Sequence, residues 1–127
     1  MSADGSPVRL VIPAQARFLR LARLTAAGIA GDLGFGLEAI EDLRVAVDEA
    51  AAILMEGAAE GAEIELVYRT AEGGMVIEGS CENPQAEPEI HPVAAELLAM
   101  TADDHSVYST GDVISFRLLK RLEVTSG

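Results

Sequence analysis

From residue 37 to residue 56 the chain reads "LEAIEDLRVAVDEAAAILME". Ile40, Leu43, Val47, Ala50, Ala51 and Leu54 recur at i, i+3, i+4 and i+7 spacing, which places them on one stripe of a helix. No Gly or Pro interrupts the stretch, so the spacing predicts one helix of about five turns. A helix with one apolar stripe must bury it against another layer. The chain supplies that layer next. "EIELVYRT" (residues 63–70) alternates with period two, as a strand facing a core on one side does. "AEGG" (residues 71–74) holds the Gly-Gly of a tight hairpin, and "MVIEGS" continues as the partner strand.

The rest follows the same grammar. "VRLVIP" (residues 8–13) reads as a first strand that Pro13 stops. Residues 14–33 read as a helix with Phe18, Leu21, Leu24 and Ile29 at helical spacing, and "GDLGFG" (residues 31–36) breaks it from the next. "CENPQAEPEIHP" (residues 81–92) has three prolines and reads as a loop, followed by a short helix at 93–101. "HSVYST" and "VISFRLLKRL" are two strands with "TGD" (residues 110–112) as their turn. The order β-α-α-β-β-α-β-β, without internal repeats, predicts an α+β fold. Its form is a two-layer sandwich, with helices on one face of a mixed, mostly antiparallel sheet.

A chain of 127 residues suits one domain, here residues 1–127, with 1–6 and 124–127 expected to be flexible. Half the residues are apolar and only 4% aromatic, so the core is expected to be Ala, Leu, Val and Ile. No apolar run reaches the roughly 18 residues of a membrane span, and "MSADGSPVR" lacks the apolar segment of a secretory signal. The single cysteine, Cys81, fits a reducing, cytoplasmic setting. With His91 and His105 it offers too few ligands for zinc. A formal charge of −12 argues against nucleic acid as a direct partner and permits a basic protein partner, or serves solubility alone.

Three pieces carry a family resemblance. The opening "VRLVIPAQARFLRLARLT" looks like the first strand and helix of the anti-sigma factor kinases of the RsbW and SpoIIAB type. "LEAIEDLRVAVDEAA" resembles their stretch ending in an acidic residue, Glu and Ala, and "DHSVYSTGDVISFRLLKRL" resembles their terminal hairpin. The resemblance implies the histidine-kinase-like ATPase (Bergerat) fold. It also implies ATP and magnesium held between the second helix and the sheet, and a homodimer. The implied partners are an alternative sigma factor and an anti-anti-sigma antagonist with a STAS domain, phosphorylated on serine.

Under that resemblance Glu49 matches the base that prepares the antagonist's serine, since a carboxylate in hydrogen-bond reach of a hydroxyl can accept its proton. Four residues on, the family places an asparagine whose amide oxygen holds magnesium. Here Ile53 stands there, and a hydrocarbon offers magnesium no oxygen. Glu49 and Ile53 share a helical face that should lie away from the Ile40–Val47–Leu54 stripe and look into the nucleotide pocket. The Asp-x-Gly-x-Gly that follows the family's third strand is also missing. No aspartate occurs from Gly73 to Glu89, Gly79 is alone, and Ser80 or Cys81 takes the acid's place, with Glu78 and Glu82 as weak substitutes. No glycine occurs between Gly79 and Gly111, although a phosphate cradle needs positive-φ residues.

The partner surface is read separately. Arg17, Arg20 and Arg23 recur every three residues on the first helix, and Arg23 in "ARLT" matches a basic residue with which the family contacts both partners. The expected function is stoichiometric capture of a sigma factor, with no cofactor. The alternative is a serine kinase using ATP and magnesium. A third class is a sensor that uses the empty pocket, with Cys81 as a redox group.

Overall fold

The computed structural model describes residues 6–122. The expected flexible ends therefore lie outside the described residues, apart from Ser6. The elements are β1 (Val8–Pro13), a 3-10 turn (Ala16–Phe18), α1 (Leu19–Leu33), α2 (Leu37–Glu56), β2 (Glu63–Ala71), β3 (Gly74–Glu82), α3 (Pro92–Thr101), β4 (Asp104–Thr110) and β5 (Val113–Arg121). The five strands form one sheet in the order β1-β2-β3-β5-β4. All four pairings are antiparallel, so the described sheet is not mixed as expected. β4 runs in the same direction as β3, but β5 lies between them and opposes both, so no parallel pair arises.

The expected two layers are present. Inward residues of the sheet, among them Ile12, Ile64, Leu66, Tyr68, Met75, Ile77, Ile114, Phe116 and Leu118, share one core with the buried faces of the helices. The α2 stripe contributes Leu43, Val47, Ala50, Ala51 and Leu54, with Ile40 packed at its margin. The other face of the sheet carries Arg69, Glu78, Arg117 and Glu72, linked by ion pairs.

The first helix departs from expectation at both its start and its buried face. The Ala14 amide donates to the Ala62 carbonyl at 2.9 Å, which ties the chain to the loop after α2. The segment then tightens into the 3-10 turn, and α1 starts only at Leu19. Arg17 is thus not on the helix that carries Arg20 and Arg23. The buried residues of α1 are Ala22, Ala26 and Ala30, whereas Leu21 and Leu24 are exposed. Small side chains let α1 lie close enough for the buried Tyr68 hydroxyl to donate to the Ala22 carbonyl at 2.9 Å. A leucine stripe would hold the helix too far out for that contact.

Two glycines explain local choices. The β2–β3 turn uses Glu72 (φ 54°) and Gly73 (φ 76°) as its left-handed pair, not Gly73 and Gly74. Gly74 is already in β3, where a Cβ would run into the Lys120 carbonyl of β5. Gly79 pairs in register with Phe116 of β5, and any Cβ there would overlap the Phe116 ring. β3 also runs two residues past the expected end, because Cys81 pairs with both Ile64 and Ile114.

Gly79→Ala should lower unfolding stability by about 1–3 kcal/mol, the usual cost of overpacking a core. Urea denaturation checks it, and Phe116→Leu in the same chain should recover part of the loss by vacating the ring's space.

Candidate functional site

Glu49 and Ile53 lie one turn apart on α2 and meet different surroundings. Ile53 is only 6% exposed and belongs to the core. The expectation that its face lies away from the packed stripe is therefore corrected. The reason is α3, which packs along that flank of α2 and widens the buried surface to include Ala46 and Ile53. Glu49 is half-buried and lines a shallow depression of about 300 Å³ with Arg23, Glu41, Arg44, Val45 and Asp48.

The loop after β3 is fastened over the end of α2. The Gln85 amide donates to the Gly57 carbonyl at 2.8 Å, and the Asn83 amide to the Asp112 carbonyl at 2.6 Å. Gly57 is buried, and a Cβ there would stand 2.6 Å from the Ala86 carbonyl oxygen. The His91 ring, at the N-cap of α3, lies 3.7 Å from the Glu56 carboxylate. This short loop and α3 occupy the flank where the resemblance puts a nucleotide.

The proposed substitutes for the adenine acceptor point the wrong way. Glu78 is bound into the ion network with Arg69 and Arg117 on the open face of the sheet. Glu82 lines a cavity on the same side with Val11, Glu65 and Ser80. The inward position belongs to Cys81, 1% exposed, whose thiol is held above its ordinary range by burial and then by the neighbouring Glu82 charge. Gly79, the one glycine of the expected motif, makes room for Phe116 and not for a phosphate. Magnesium requires oxygen ligands in near-octahedral array. Among the described residues no cluster of three or more His, Cys, Asp or Glu could hold a metal. The residues at this position do not fit a magnesium–nucleotide pair.

The arginines are only partly brought together. Arg23 of α1 reaches across to α2, where its guanidinium meets the Asp48 carboxylate at 2.6 Å, each side chain about one-third exposed. That pair places Arg23 and Glu49 on one surface. Arg20 is exposed on α1. Arg17 lies over the Phe18 ring at 4.7 Å and bonds Gln15. Asp48 was missed as a functional neighbour, although its place one residue before Glu49 and its charge opposite Arg23 were both visible.

A two-layer α+β sandwich with three helices over one face of an antiparallel sheet is the fold class defined here. No protein-family model matches the chain. It is 43% identical over 63 residues to the serine-protein kinase RsbW of Listeria monocytogenes, covering 50% of this chain and 40% of that protein. With the serine-protein kinase RsbW of Bacillus thuringiensis it is 33% identical over 72 residues, covering 55% and 45%. The chain thus matches less than half the length of these curated relatives. A crystal structure of the RsbU and RsbW domains of a Mycobacterium tuberculosis protein superposes with a TM-score of 0.74. That match covers 92% of this chain and 32% of that one at 13% identity, a likeness of fold. The chain therefore resembles RsbW proteins over about half its length, and its fold is similar to that of an RsbW domain.

Two outcomes follow. Ile53→Asn puts an amide into hydrocarbon and should destabilise the fold by about 2–4 kcal/mol without conferring magnesium–ATP binding; urea melts and calorimetry read the two effects. The raised Cys81 thiol and the Tyr68 phenol, pushed well above its ordinary range by burial, both favour the protonated folded state. The contribution of these two groups to stability should therefore be constant below about pH 8. It should fall as the unfolded thiol ionises near pH 8.5, and fall further above about pH 10 as the unfolded phenol does. Melting temperature against pH, repeated on Cys81→Ala, checks the sign.

Proposed function

We propose that the chain is an anti-sigma factor of a partner-switching system that captures an alternative sigma factor by direct binding and makes no conventional use of ATP. The observation that carries this reading is Ile53 buried in the core where a magnesium ligand would be needed. The loop fastened to Gly57 and the inward, protonated Cys81 point the same way. Sequence likeness to RsbW proteins over half the chain supplies the family context.

The binding surface in this reading is the α1–α2 face, with Arg23 held ready by Asp48, Arg20 beside it and Arg17 at the start. The Arg23–Asp48 pair is one-third exposed, and surface ion pairs contribute only about 0–1 kcal/mol, so an incoming carboxylate can compete for the Arg23 guanidinium. The acidic surface elsewhere attracts the basic regions of a sigma factor and speeds encounter. Exposed Val8, Val11, Leu21 and Leu24 on β1 and α1 support a homodimer through those elements. A STAS-domain antagonist competes for the same face and releases the sigma factor.

A serine kinase is the second reading. It is favoured by one observation, the half-buried Glu49 carboxylate facing solvent beside Arg23.

Titration calorimetry with ATP and magnesium should give no heat, and purified protein should retain a sigma factor from its host in pull-downs. Arg23→Ala should weaken that retention about tenfold or more, while Glu49→Gln leaves it unchanged. Phosphate transfer to a STAS-domain protein, abolished by Glu49→Gln, would replace this reading with the kinase.

A further inference from the structure

Helix α3 carries an apolar stripe that nothing in the described structure covers. Val93 is 68% exposed and Met100 is 72% exposed. Leu97 is half-buried between them, and Ile90, just ahead of the N-cap His91, is 42% exposed. At roughly 100° per residue, Val93, Leu97 and Met100 fall within one narrow sector of the helix. Leu98, the residue that anchors α3 to the core at 1% exposure, lies on the far side. Glu96 is the only charged residue in the helix. Two exposed large apolar side chains joined through Leu97 form a seam, unlike scattered surface leucines.

The charge around the seam selects its occupant. No Lys or Arg occurs from residue 70 to residue 116, a stretch that holds nine acidic residues. Glu87, Glu89, Glu96, Asp103 and Asp104 are all exposed near the two ends and one flank of α3. Of the basic groups around the helix, His91 already faces Glu56, and Lys120 and Arg121 line a depression with Asp103 past the C-terminal end. A second copy packed antiparallel on the same stripe would bring Glu96 beside Glu96 and set acidic ends against acidic ends. Like charges brought together disfavour that pairing.

We propose that the α3 seam is a second docking surface, which takes an amphipathic helix with a leucine-type seam flanked by lysine or arginine. The apolar stripe supplies most of the affinity and the acidic rim sets orientation and sign, as in helix-in-groove recognition. This surface is separate from the α1–α2 face, uses none of Arg17, Arg20, Arg23 or Glu49, and stands whether or not the chain captures a sigma factor.

The probe is a fluorescein-labelled peptide of about 16 residues with leucine at i, i+3, i+4 and i+7 and lysine elsewhere. Fluorescence anisotropy measures its binding to the intact chain in moderate salt. The V93S/M100S chain should bind it at least about tenfold more weakly, given the apolar surface lost, with an unchanged urea midpoint. Tyr108→Ser, exposed on the opposite sheet face, should bind like the parent. A peptide with glutamate in place of lysine should not bind. The proposal is overturned if the lysine peptide does not bind the parent chain, or if V93S/M100S binds it equally well. It is also overturned if sedimentation finds parent dimers that V93S/M100S converts to monomers, which would assign the seam to a second copy.

Discussion

The structure depends on the burial of α2 from three directions at once. The sheet takes Leu43, Val47, Ala50 and Leu54, α1 closes on one flank, and α3 closes on the other. A helix buried on one side keeps a polar back and can turn an edge toward a ligand. One enclosed on three sides must be apolar over a wider arc. Ile53 follows from that enclosure. An oxygen-bearing side chain at this position would be stranded in hydrocarbon, at a cost of roughly 1–3 kcal/mol if left without a hydrogen bond.

The same constraint reaches outward into sequence choices that otherwise look unrelated. Gly57 is required because the loop before α3 must cross the end of α2 with its Ala86 carbonyl almost touching the backbone. Cys81 suits the last inward position of β3 because the thiol is small and easily kept neutral when buried. Gly79 is required because Phe116, at 0% exposure, fills the space beneath β3. Ile53, Gly79 and Cys81, where the resemblance implied parts of a nucleotide site, are used here for packing. What remains available for recognition is surface. The α1–α2 face carries an arginine held by Asp48, and one helix presents its apolar side outward.

Much of the architecture was legible in the residues. The α2 stripe, the alternation in β2 and the turn signals between strands led to the right layers in the right order. The absences were legible too: Ile53 in place of an amide and a glycine-free stretch from 80 to 110 are plain in the text of the chain. Less legible was which apolar residues are buried. Leu21 and Leu24 looked like the core of α1, yet Ala22, Ala26 and Ala30 are, because close approach to Tyr68 favours the smallest side chains. The role of Glu78 was also invisible, since its partners Arg69 and Arg117 are 9 and 39 residues away in the sequence and meet it only across adjacent strands.

By itself the sequence determined the local order: which helices and strands form and in what succession, and that several oxygen and glycine positions of a nucleotide site are missing. Period and spacing are local properties, written within a few residues of one another. Only the tertiary structure decided which side of each element counts as inside. It put Ile53 in the core, Glu78 on the open face, Arg23 against Asp48 and the α3 seam in solvent. Burial is a relation between distant segments, and no stretch of chain carries it alone.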